Sequence, residues 1–85
     1  MASPPDETLD ATGLRCPMPV IRMEARLRAL PVGARLKVIA DDPVAAVDIP
    51  LFARQGGHGA ERLKSEEGSG GVCVFLVTRG GKPAA

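Results

Sequence analysis

The sequence predicts an α/β (α+β) two-layer sandwich of order β-α-β-α-β-β, in which two helices cover one face of a four-stranded mixed sheet. Three observations point there. Segments with helical apolar spacing alternate with segments of strand character. Hydrophobic residues make up 45% of the chain and charged residues 25%, the balance of a globular domain rather than of a disordered, collagenous or coiled-coil chain. Its 85 residues suffice for one domain, and with Phe52 and Phe75 as the only aromatics the core must be aliphatic.

Each element follows from local chemistry. Residues 1–7 and 80–85 are small, polar or helix-breaking and are expected to be flexible tails. Residues 9–11 read as a short strand, left by the loop Thr12-Gly13-Leu14-Arg15. Over residues 17–30, Val20, Met23, Leu27 and Leu30 recur at helical spacing; at about 100° per residue they share one arc, the face to be buried. Met18, Arg22, Arg26 and Ala29 fall on the opposite side as an exposed stripe, and Pro31 and Gly33 stop the helix. Residues 34–40 set Leu36 and Val38 against Arg35 and Lys37, a half-buried strand. A right-handed crossover is expected between these first two strands.

Asp42 is placed to cap a second helix, with Pro43 at its first position, where a missing N–H costs nothing. Pro50 removes a helical hydrogen bond and crowds the preceding turn, so a kink is expected there, or a restart with Asp48 as a second cap. Gly56 and Gly57 end the segment. A weak strand over residues 60–67, a turn over 68–71 and a strongly apolar strand over 72–78 complete the order.

Charge and cysteine content exclude several functions. Eleven Lys and Arg against ten Asp and Glu leave a net charge of +1, too weak a field to attract nucleic acid or an acidic membrane. No segment approaches the ~20 apolar residues that span a bilayer. The first residues show neither a basic nor an apolar signal region, so a soluble cytoplasmic protein is expected. Cys16 and Cys73 are too few and too far apart for a disulfide scaffold or a complete zinc site. Asp41, Asp42 and Asp48 match no metal-binding loop, and two of them, Asp42 and Asp48, stand where helix caps are needed, so no metal or cofactor is expected.

The stretch that carries chemistry is Arg15-Cys16-Pro17-Met18-Pro19. A cysteine just before a helix faces its unpaired N–H groups and the positive end of its dipole, which favour an anion. The prolines remove the amides of residues 17 and 19 and preform the first turn, leaving those of Met18 and Val20 to face the sulfur. Arg15 adds a positive charge, and neutral Met18 sets no negative charge beside it. The pattern therefore predicts a reactive thiolate at Cys16, in a loop that another protein can reach.

With its flanks, Leu9-Asp10-Ala11-Thr12-Gly13-Leu14-Arg15-Cys16-Pro17-Met18-Pro19-Val20, and with Ile39-Ala40-Asp41-Asp42-Pro43, Asp48-Ile49-Pro50 and Gly57-His58, the chain resembles the TusA/SirA-like family of small sulfur-carrier proteins. The resemblance runs from about Leu9 to Arg79. It implies that Cys16 accepts sulfane sulfur as a persulfide from a cysteine desulfurase or a rhodanese-like sulfurtransferase. It also implies delivery to a cysteine of an acceptor protein, for tRNA 2-thiouridine synthesis, molybdoenzyme maturation or sulfur oxidation. Such a protein is a relay component that turns over only with its partners, and is expected to be a monomer that contacts neither nucleic acid nor membrane. The match departs at Met18, where members of the tRNA-thiolation branch tend to carry an acidic residue.

The remaining candidates read more plainly. Cys73 lies in an apolar strand and is expected to be a small buried hydrophobe; the alternative function, a redox-responsive module, needs it to resolve an oxidised Cys16. His58, after the Gly-Gly stop, has no second catalytic group in view. Asp10 is placed to brace the Cys16 loop through backbone hydrogen bonds. Arg22 and Arg26, with Met18 and half-exposed Ile21, form a stripe that starts beside Cys16 and suits docking of a partner.

Overall fold

A computed structural model describes residues 5–63 and 71–81. The elements run β1 (Glu7–Asp10), α1 (Met18–Ala29), β2 (Arg35–Ala40), α2 (Pro43–Gln55), β3 (Gly59–Arg62) and β4 (Cys73–Thr78). The strands form one mixed sheet in the order β1-β2-β4-β3, with β1 parallel to β2 and β4 antiparallel to both its neighbours. This is the predicted α+β sandwich.

The period-2 alternation of the strands decides which side is covered. Leu36 pairs with Val77, Val38 with Phe75 and Ala40 with Cys73 across β2 and β4, and all six are buried. They join Val20, Met23 and Leu27 of α1 and Ala45, Ile49 and Ala53 of α2 in one aliphatic core. Both helices therefore lie on the same face of the sheet.

Several boundaries differ from the sequence expectation. The first strand begins at Glu7, within the stretch expected to be a tail. Asp6 donates its N–H to the Arg35 carbonyl at 2.9 Å and accepts from the Arg35 N–H at 2.8 Å, while Glu7 accepts a two-pronged bond from the Arg26 guanidinium. Gly80, assigned to the other tail, is likewise tied: its N–H donates to His58 Nδ1 at 2.9 Å. It lies so close to Gly57 that an added Cβ would meet the Gly57 carbonyl oxygen at 1.7 Å. β3 ends at Arg62, short of the predicted run; residues 64–67 of that run and 68–70 of the predicted turn lie outside the described residues.

The second helix neither stops nor restarts at Pro50. Ala45, Ile49 and Ala53, one turn apart in succession, are all essentially inaccessible to solvent. Their packing holds the helix across the position where proline deletes a hydrogen bond. Asp48 is therefore a mid-helix residue, not a second cap.

Candidate functional site

The site forms where two parallel strands end side by side. Because β1 and β2 run parallel and adjacent, the loop leaving β1 and the turn leaving β2 emerge from the same edge of the sheet. The first loop carries Cys16 and the second carries Asp41 and Asp42, followed at once by α2.

Hydrogen bonds shape the first loop one residue at a time. Asp10 Oδ1 accepts from the Thr12 N–H at 3.0 Å and from its hydroxyl at 2.6 Å, the bracing role expected of Asp10. Gly13 has φ +83°, and the Leu14 N–H donates to the Ala11 carbonyl across this turn. A side chain at that φ would be strained, so the glycine is what lets the chain reverse. The second turn then clamps the first: Asp41 Oδ1 accepts from the Gly13 N–H at 2.9 Å, and Asp42 Oδ2 from the Cys16 N–H at 2.7 Å. The other oxygen of Asp42 accepts from the Val44 N–H at 3.1 Å, so one carboxylate caps α2 and anchors Cys16 together.

The helix start differs from the expected anion site. Helix α1 begins at Met18, with Pro17 as its N-cap and the Cys16–Pro17 peptide bond in the cis form. The Met18 amide donates to the Arg15 carbonyl at 2.8 Å and is not left facing the sulfur. Arg15 turns its guanidinium to Asp41, 3.5 Å away, rather than to Cys16. The Cys16 thiol is exposed and donates to Asp48 Oδ2 at 3.0 Å.

This geometry reverses the expected acidity. The hydrogen bond to the Asp48 carboxylate holds the Cys16 thiol above its ordinary pKa, helped by partial desolvation and by the negative charges of Asp48 and Asp42. These surroundings favour the protonated thiol, where the loop sequence predicts a thiolate. The neutral Met18 does not spare the sulfur a negative neighbour, because Asp48 brings one from another helix.

Other predicted residues fall away from the sulfur. Cys73 starts β4 opposite Ala40, at the same sheet edge as the Cys16 loop, but its side chain is 2% exposed and packs in the core. Both cysteines are thiols. His58 lies at the opposite edge, where Gly59 pairs with Thr78. Its Nδ1 accepts from Gly80, and burial with the nearby Arg79 charge lowers its pKa, so it is a neutral structural tie. Arg22 and Arg26 are exposed on α1, and Arg26 is engaged by Glu7. Among the described residues no three His, Cys, Asp or Glu side chains are grouped to hold a metal ion. No described helix is long and apolar enough to cross a membrane.

Comparison with known proteins places this architecture. Residues 7–79 match the family described as sulfurtransferase TusA. The chain belongs to the TusA family. As a TusA-family member it is 48% identical over 72 residues to the sulfur carrier protein TusA of Pseudomonas putida, covering 85% of this chain and 88% of that one. To the sulfur carrier protein TusA of Allochromatium vinosum it is 42% identical over 74 residues, 87% of this chain and 93% of the other. The crystal structure of a SirA-like protein from Desulfitobacterium hafniense superimposes with a TM-score of 0.74 at 31% identity, covering 87% of this chain and 97% of that one. The Cys16 loop and the Asp41–Asp42 turn both lie inside the matched TusA region.

Proposed function

We propose that this protein is a sulfur carrier in which Cys16 holds sulfane sulfur as a persulfide, taking it from one protein's persulfide and passing it to another protein's cysteine. The observation that carries the reading is the Cys16 sulfur itself: exposed, fixed by its own amide to buried Asp42, and presented at the sheet edge of a TusA-family fold. Persulfide relay parallels thiol–disulfide exchange, in which a sulfur nucleophile attacks one atom of a sulfur–sulfur bond and a thiol departs. Such a carrier needs one accessible thiol held in a defined place.

The surroundings of Cys16 suit transient docking. Met18 and Ile21 on α1 and Val44, Val47 and Leu51 on α2 are each 38–66% exposed. By helical spacing Val44, Val47 and Leu51 share the face that carries Asp48. An apolar rim around a reactive thiol fits a partner's sulfur-bearing loop. The docking face proposed here is this rim together with Arg22; Arg26 contributes through its pairing with Glu7.

The test is incubation with a cysteine desulfurase and cysteine, then with other sulfane-sulfur donors, followed by intact-mass measurement. One added sulfur atom is expected on the wild type, mapped to Cys16, and none on Cys16→Ser. A wild type left unmodified by every donor overturns the reading. Val47→Asp should slow uptake from a protein donor and leave uptake from a small alkyl persulfide unchanged; a wild-type rate from the protein donor would remove the rim from the docking face.

A further inference from the structure

We infer that Asp48 is the proton acceptor for Cys16 in sulfur transfer, a catalytic residue delivered by the second helix. The inference rests on Cys16 as the carrier. Its geometry is the 3.0 Å bond from Cys16 Sγ to Asp48 Oδ2, made between groups 32 positions apart in the chain. Arg15 pairs with Asp41, and the charged groups that act on the sulfur among the described residues are the carboxylates of Asp48 on α2 and of Asp42, its N-cap. Asp42 is already occupied by two backbone amides, so Asp48 is the carboxylate bonded to the sulfur.

The chemistry gives that proton somewhere to go. In the resting state a carboxylate is a far weaker base than a thiolate, so the proton stays on Sγ and the thiol is quiet toward stray electrophiles. As Sγ attacks the outer sulfur of a donor persulfide, its electron pair enters the new S–S bond and the S–H becomes strongly acidic. A carboxylate already hydrogen-bonded to that hydrogen then takes it. The new bond joins Sγ to the sulfane sulfur, and the bond from that sulfur to the donor's sulfur breaks. The electron pair leaves with the donor thiolate, which receives the proton from Asp48. A thiol and a persulfide enter, a persulfide and a thiol leave, and Asp48 ends ionised as it began. Delivery to an acceptor thiol is the same exchange reversed in role.

Two rates separate this role from a simple electrostatic brake. Alkylation by iodoacetamide reads thiolate content, whereas sulfur uptake from a small alkyl persulfide also reads assisted proton removal. In Asp48→Asn and Asp48→Ser the negative charge that suppresses ionisation is gone, so alkylation near neutral pH should rise several-fold. Sulfur uptake should fall by about 10-fold or more, because the ~100-fold that a positioned base supplies at the low end is offset only in part by the several-fold gain in thiolate. Asp48→Glu should recover part of the uptake. Uptake at or above the wild-type rate in both the Asn and Ser variants overturns the inference, and so does a parallel loss of both rates, which would mark Asp48 as structural. Absence of sulfur on wild-type Cys16 instead overturns the carrier reading and this inference with it.

Discussion

Asp42 offers the most direct test of how the site is assembled. It is the one buried charged side chain among the described residues, 5% exposed, and its two oxygens accept from the Val44 and Cys16 amides. Replacing it with alanine removes an N-cap, a loss of about 1 kcal/mol. It also removes a charge-assisted bond to the Cys16 amide and leaves that amide without its partner, a further ~1.5–3 kcal/mol. A total near 3 kcal/mol is a large part of the stability of a domain this size, roughly 4–13 kcal/mol. Urea denaturation should show the loss directly, and the thermal midpoint should fall by about 12–24 °C. Asp42→Asn keeps one acceptor oxygen but turns an amino group toward one of the two donors, so it should retain the cap and recover only about half of the loss. An Asp42→Ala variant within about 0.5 kcal/mol of the wild type would refute the double role of this carboxylate. So would an Asn variant as stable as the wild type.

Other expectations follow from single contacts. Gly80→Ala should destabilise by about 2 kcal/mol or more in urea titrations, because the added methyl collides with the Gly57 carbonyl and backbone must move. The His58 pKa is lower in the folded than in the unfolded chain. The unfolded state therefore binds the proton first, and stability should fall as pH drops below ~6.5 and level off once the folded imidazole is also protonated. In His58→Gln, denaturation midpoints followed across that window should lose this part of the slope. Iodoacetamide on the native protein should add one group, at Cys16, more slowly than on an unperturbed thiol, since Asp48 raises the Cys16 pKa. Cys73, 2% exposed, should react only when urea unfolds the chain; early labelling at Cys73 would contradict its place in the core.

Much of the architecture was readable because it rests on local rules. The apolar spacing of Val20, Met23 and Leu27 predicts the buried face of α1, and all three are buried. The Asp42–Pro43 pair predicts a helix start, and Asp42 caps it. Caps and amphipathic faces depend on residues a few positions apart. The misreadings occur where distant chain decides. Glu7 joins a strand because β2 and Arg26 lie beside it, and of the two outcomes expected at Pro50 the restart at Asp48 is overturned, because the buried face of α2 is packed on the core across that position.

The same division runs through the site. An exposed cysteine between a glycine turn and a proline-framed helix is visible in the sequence, because the turn, the prolines and the helix start are neighbours along the chain. The state of its sulfur was not. Local reasoning supplied only the helix dipole and Arg15, and both favour a thiolate. The parallel pairing of β1 with β2 brings the start of α2 against the loop, spends Arg15 on Asp41 and sets the Asp48 carboxylate 3.0 Å from the thiol. The sequence by itself determined where a thiol stands before a proline-framed helix start. Only the tertiary structure decided which form of that thiol its surroundings favour, because the carboxylate bonded to it comes from a segment 32 residues away and a charge acts through space, not along the chain.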